Sequence, residues 1–131
     1  IWNLAGRREV GFQLVENGGE FLLGDPRSQL MYFFNSGGLL TRLEDGRGNT
    51  NFLSYHGSLL TNVTDGLGRT LNLTYAGGLL NSVSDGVRQV GFAHGDGNLT
   101  RFTDANGKVT TYAYDLANAN HPALLTARTL P

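Results

Sequence analysis

A chain of 131 residues with 40% hydrophobic residues and a formal net charge of -1 has the size of one ordinary domain and is too apolar to be disordered. Ten basic residues against eleven acidic ones do not indicate nucleic acid or an anionic membrane as a partner, and the absence of cysteine excludes disulfides, thiolate catalysis and cysteine metal sites. Nineteen glycines against three prolines point to many tight turns, and to neither a collagen triplet nor a Pro-rich linker.

Taken in chain order, residues 1–32 read as degenerate leading repeats. Asp25 lies twenty residues before Asp45, and Gly18-Gly19 lies about twenty before Gly37-Gly38. Ile1 to Arg8 lacks the form of a signal peptide, and no apolar run approaches the length that spans a bilayer. A start at Ile1 rather than Met implies a processed piece or an excised segment, with any export signal outside it.

Residues 33–115 carry the clearest repeats. Asp45, Asp65 and Asp85 are twenty residues apart and Asp104 follows after nineteen; Leu40, Leu60, Leu80 and Leu99 keep the same intervals, as do Leu43, Val63, Val83 and Phe102. Each Asp opens a turn. In Asp45 to Gly48, Asp65 to Gly68 and Asp104 to Gly107, Asp stands first and Gly fourth, the type I signature in which the carboxylate accepts from a backbone N–H two residues on and glycine takes the positive φ. Asp85-Gly86-Val87-Arg88 departs from it. The other connection of each unit, His56-Gly57-Ser58, Ala76-Gly77-Gly78 or Gly95-Asp96-Gly97-Asn98, has hairpin length. Each unit of about twenty residues is therefore two antiparallel strands, and the fold class is all-β: tandem hairpins in a long curled meander of ten to twelve strands.

Parity predicts the faces. Leu39, Thr41 and Leu43, with Leu59, Thr61 and Val63 and with Leu79, Asn81 and Val83, fall on one side; Tyr55, Tyr75, Phe92, Tyr112 and Tyr114 join them from the returning strands as structural aromatics. The opposite parity carries Arg42 and Glu44, Asn62 and Thr64, Ser82 and Ser84, and Arg101 and Thr103, a solvated or cavity-facing surface. Residues 116–131 read as a longer connection, Leu116 to Ala123, followed by the first strand of a further repeat from Leu124.

With Gly-x-Leu, Asp-x-x-Gly and aromatic-x-Tyr in each unit, and Tyr112-Ala113-Tyr114-Asp115 closing the best copy, the chain resembles the Rhs or YD-repeat family. The resemblance covers Phe33 to Asp115 well and the flanks more loosely; Tyr55 and Tyr75 are followed by His56 and Ala76 instead of Asp, and His94 stands where Tyr is expected. It implies a spiralling antiparallel sheet that builds a hollow shell. In bacterial Rhs polytoxins and insecticidal toxin complexes that shell holds a toxic C-terminal domain, and in teneurins a related one serves cell-surface adhesion. By the same resemblance the chain is secreted or at the cell surface, of bacterial origin, and a structural protein whose partners are further repeats of the same protein and an enclosed C-terminal domain.

Other chemistry finds less support. His94 near Ser82, Ser84 and Asp85 suggests a hydrolytic triad, but it occupies the aromatic slot of its repeat, where packing is its role. His56 and His121 fall in loops. Asp96-Gly97-Asn98 and Asp104-Ala105-Asn106 lack the continuation of an EF-hand loop, and the Gly-rich tetrads are not followed by the helix a phosphate cradle needs. The Asn62, Asn72 and Asn98 sequons matter only in a eukaryotic secretory context, and the family's self-cleaving aspartyl protease motif is not found in the chain. The residues singled out are thus structural: Asp45, Gly48, Asp65, Gly68, Asp85, Asp104 and Gly107 as turns, with the five aromatics above; no enzyme activity, metal or cofactor is expected. The alternative function is a self-assembling extracellular filament joined through edge strands, or an adhesion module in which tyrosines and Arg42, Arg69 or Arg101 bind a glycan.

Overall fold

A computed structural model describes residues 2–3, 11–117 and 123–131, and it divides into two units, Ile1–Thr70 and Leu71–Pro131, each taken by itself below. The described residues form thirteen strands and no helix. In the first unit these are β1 (Trp2–Asn3), β2 (Gln13–Asn17), β3 (Glu20–Asp25), β4 (Leu30–Phe34), β5 (Leu40–Asp45), β6 (Thr50–His56) and β7 (Leu59–Asp65). In the second, with β8 starting at the division, they are β8 (Thr70–Ala76), β9 (Leu79–Ser84), β10 (Gln89–Gly95), β11 (Asn98–Thr103), β12 (Val109–Asp115) and β13 (Leu124–Thr129). Within each unit, strands adjacent in sequence are antiparallel neighbours in the sheet. The meander follows from its connections, because two-residue and Asp-type turns leave no length for a crossover.

The hairpin turns follow their backbone demands. Gly18-Gly19, Gly77-Gly78 and Asp96-Gly97 have positive φ at both central residues, as a type I′ turn requires, whereas at Gly57-Ser58 only Gly57 (φ 60°) does. The β4–β5 connection is built differently: Asn35 accepts from the Gly37 and Leu39 N–H groups at 3.0 Å through its side chain, and Gly38 donates to the Asn35 carbonyl at 2.9 Å.

Strict parity holds in the β2–β3 hairpin but fails at one place in each of β4–β5, β6–β7, β8–β9, β10–β11 and β12–β13. Ser54 pairs with Asn62 but Tyr55 pairs with Leu60, which leaves Thr61 as an extra residue; the same slip leaves Thr41, Asn81, Thr100 and Thr126 unpaired. These are β-bulges, recurring with the repeat. The threonines secure them by donating from Oγ1 back across the hairpin, to the carbonyls of Phe33 (3.2 Å), Ser54 (3.2 Å), Ala93 (3.1 Å) and Ala113 (3.1 Å). The bulge corrects the faces: Leu60 and Leu80 lie with Tyr55 and Tyr75, while Leu59 and Leu79 pair with His56 and Ala76 on the opposite side and Leu39 belongs to a turn.

On the apolar side of the first unit, Leu23, Tyr32 and Leu43 form one row and Phe21, Phe34 and Leu40 another. In the second, Leu73, Val83 and Val90 form a row, and Phe92 packs on Phe102 with ring centroids 5.4 Å apart. The other side differs between the units. In the second it is mostly polar, with Ser82 and Thr74 sharing a 2.7 Å hydrogen bond and Arg101 opposite Ala93 and Thr111; in the first, Leu22, Phe33, Arg42 and Phe52 stand in one row.

Among the described residues no hydrophobic side chain is buried, and only Ser82 and Thr110 fall below a tenth exposed. Among the described residues each unit is a single layer of sheet, without the second layer that ordinarily covers an apolar side.

Candidate functional site

In each unit the residues of interest lie along its own Asp-turn edge and across the strands that leave it. Asp45, Asp65 and Asp104 each accept at Oδ1 from two backbone N–H groups, two and four residues on, at 2.8–2.9 Å. Gly48, Gly68 and Gly107 return N–H bonds to the carbonyls of the same aspartates at 3.4, 3.0 and 3.0 Å, with φ between 80° and 90°. That is a type I turn closed by a left-handed residue. Asp85 heads a turn shorter by one: Val87 and Arg88 N–H groups reach its Oδ1, and the left-handed residue is Gly86 (φ 89°).

These carboxylates are spent within their own turns. Oδ2 of Asp45 accepts from Asn49 at 2.6 Å, that of Asp65 from Arg69 Nε at 2.6 Å, and that of Asp85 from both Nε and Nη2 of Arg88 at 3.0 and 2.8 Å. The Arg88 backbone N–H, then that of Val87, then the Arg88 guanidinium hold the Asp85 carboxyl down at about 2. Asp65 is lowered chiefly by the Arg69 N–H, Asp45 by the Asn49 side chain, and Asp25 by the Ser28 hydroxyl. Among the described residues no group of three or more His, Cys, Asp or Glu could hold a metal.

Tyrosine has a specific post. Tyr55 and Tyr114 donate through their hydroxyls to the carbonyls of Leu40 and Leu99, each fifteen residues back, at 2.8 Å. Both acceptors sit where a backbone ladder has ended. The β5–β6 and β11–β12 ladders pair three positions each, and beyond Phe52 and Thr111 the strands part. The phenol spans the gap and satisfies a carbonyl the ladder leaves open. Tyr75 pairs with Leu80 as Tyr55 does with Leu60, and His94 holds the matching position opposite Leu99. Tyr112 lies opposite Arg128.

The basic residues named as possible glycan contacts are engaged elsewhere. Arg69 is tied to Asp65, Arg101 Nε reaches Thr103 Oγ1 at 3.4 Å, and Arg42 lies 3.8 Å over the Phe33 ring with Nε 3.2 Å from Glu44. Arg42 Nε is buried and its contact with Glu44 has the distance but not the direction of a hydrogen bond, so it counts as an ion pair. The hollows follow the Asp-turn edge: one of about 340 Å³ lies by Gly24, Asp25 and Gln29, another of about 310 Å³ by Asn49, Asp65 and Arg69. His121 lies outside the described residues.

What parity reasoning missed were the bulge residues Thr41, Thr61, Asn81, Thr100 and Thr126. Their signal was present: the first four stand one residue after the repeating leucines.

Residues 94–119, spanning β11, β12 and the Asp104 turn between them, match a protein-family model described as RHS Repeat. No curated protein matches the chain. The matched segment includes the bulge at Thr100, the Asp104 turn and the Tyr114 bond to Leu99.

Proposed function

Because residues 94–119 are an RHS repeat and the same turn, bulge and tyrosine geometry recurs from Phe33 to Asp115, we propose that the chain is a structural repeat segment of a large exported Rhs-type protein. Rhs repeats are structural, and proteins that carry them are typically extracellular or at the cell surface. In this reading residues 1–32 lead into the repeats and β13 opens another. The sheet forms part of a wall that encloses a toxin or effector domain of the same bacterial protein, and the segment itself performs no chemistry.

The observation that carries this reading is the single layer. A sheet with an apolar row on one side and, among the described residues, no buried hydrophobic side chain supports a wall whose apolar side is covered by another part of the protein. The aspartates support it as well, since each carboxylate holds the backbone of its own turn. Among the described residues no helix is long and apolar enough to cross a membrane.

Limited proteolysis of the parent protein tests the enclosure. The domain C-terminal to the repeats should resist protease in the intact protein and be cleaved once this segment is deleted. A domain equally sensitive in both would contradict enclosure.

A further inference from the structure

The polar side of the first unit departs from the repeat at one place. In the other copies the residue matching Arg42 is Asn62, Ser82 or Arg101. Its cross-strand neighbours there are small or polar: Ser54 beside Asn62, Thr74 and Gly91 beside Ser82, Ala93 and Thr111 beside Arg101. Arg42 instead stands between Phe33 and Phe52, with Leu22 beyond Phe33 in the same row. The Arg101 copy keeps its bulge, Asp turn and tyrosine bond without either ring, so the rings are not what folds the hairpin.

The cluster fixes the Arg42 guanidinium and leaves one end of it open. Its central carbon lies 3.8 Å over the Phe33 ring, and Nε is buried 3.2 Å from Glu44 Oε1. Neither Nη group has a hydrogen-bond partner among the described residues, and the side chain is 37% exposed. Glu44 closes the Nε edge, so an anion can approach only from the Nη end. Arg101, with no ring beside it, reaches Thr103 Oγ1 instead. Phe52, next to Arg42 in the row, is 49% exposed. A planar donor fork held on a ring has little freedom left to lose on binding. An unfilled donor pair and an exposed ring, about 4.8 Å apart across adjacent strands, match a carboxylate with an aromatic group close beside it.

We propose that Phe33, Arg42 and Phe52 form a docking site for an acidic, aromatic segment of the domain that the wall encloses. A carboxylate of that segment accepts from both Nη groups of Arg42, and an adjacent aromatic side chain lies against Phe52. The guanidinium selects the charge and the ring selects its neighbour. The proposal rests on the reading of the sheet as an enclosing wall and deepens it, because it names the chemistry of a contact between wall and contents.

The test is a titration of the isotope-labelled 131-residue chain with N-acetylphenylalanine, which carries a carboxylate and a ring, with its neutral amide, and with sucrose. Arginine Nε–H and backbone amide signals are followed. N-acetylphenylalanine should shift the Arg42 Nε–H and the amides of Phe33 and Phe52 ahead of all others, and the Arg101 Nε–H should stay still. Arg42→Lys keeps the charge but loses the fork, and should bind about 3- to 10-fold more weakly. The comparison of acid with amide on the unaltered chain decides the matter even if that variant misfolds. No selective shift, equal shifts from acid and amide, an equal response at Arg101, or the same signals moved by sucrose would overturn the site. In the parent protein, photoreactive p-benzoylphenylalanine in place of Phe52 should crosslink to the enclosed domain beside an aspartate or glutamate; crosslinks to other repeats or to a separate protein would overturn that occupant. Enclosure itself is read by proteolysis with Arg42 intact, so a protected domain without these shifts leaves the wall standing while the docking site falls.

Discussion

At the scale of the residue, conformation outweighs contact at the Asp turns. Gly68 has φ 81° and open space around the position of a Cβ, so a side chain there would meet no atoms and still be strained. Gly68→Val is expected to cost about 1–3 kcal/mol, whereas Leu67→Ala, at an 82% exposed neighbour, should change stability by less than about 0.5 kcal/mol. Urea denaturation of the two variants decides it: equal midpoints would remove the left-handed role of the glycine. Tyrosine offers a second contrast within one strand. The Tyr114 hydroxyl satisfies the Leu99 carbonyl, whereas the Tyr112 hydroxyl has no hydrogen-bond partner among the described residues. Tyr114→Phe should therefore destabilise by about 0.5–1.5 kcal/mol and Tyr112→Phe by much less. Equal losses in thermal unfolding would mean that ring packing alone holds both.

At the scale of the element, the Asp-turn hairpins carry a pH dependence. The folded carboxyls of Asp25, Asp45, Asp65 and Asp85 are all lowered, Asp85 to about 2, by hydrogen bonds made only in the turn. A carboxyl that binds its proton less readily when folded stabilises the fold above its unfolded value near 3.8 and loses that contribution as pH falls through the folded value. The expected outcome is stability that is flat above about pH 5 and declines from about pH 4 towards pH 2. Asp85→Asn should flatten part of that decline; a variant with an unchanged acid limb would show that the Asp85 turn does not contribute.

The same scale shows what could be read from sequence. The Asp-x-x-Gly spacing and the glycine pairs identify hairpins because each turn type demands particular residues at particular positions, and strand alternation between them is local. The bulges were illegible to parity because one inserted residue reverses every assignment beyond it, and threonine suits a paired strand as well as a bulge. Phe33 and Phe52 were unreadable for another reason. Their place beside Arg42 depends on cross-strand register, which the bulge at Thr41 sets. The tyrosine bonds to Leu40 and Leu99 were likewise hidden, since they exist only where a neighbouring ladder stops.

At the scale of the whole molecule, one sheet layer per unit and an open β13 edge govern how the chain behaves in solution. Apolar rows such as Leu73, Val83 and Val90 have no covering layer among the described residues of their own unit, and an unpaired edge is a template for another strand. A head-to-tail contact of this kind does not close on itself, so association should grow with concentration and not stop at a dimer. Light scattering on the purified 131-residue chain over a range of concentrations measures this directly. The average mass should rise steadily above that of one chain, while the β13 amides exchange rapidly in the most dilute sample. A monodisperse monomer at every concentration, with protected β13 amides, would contradict a segment built to be completed by other strands.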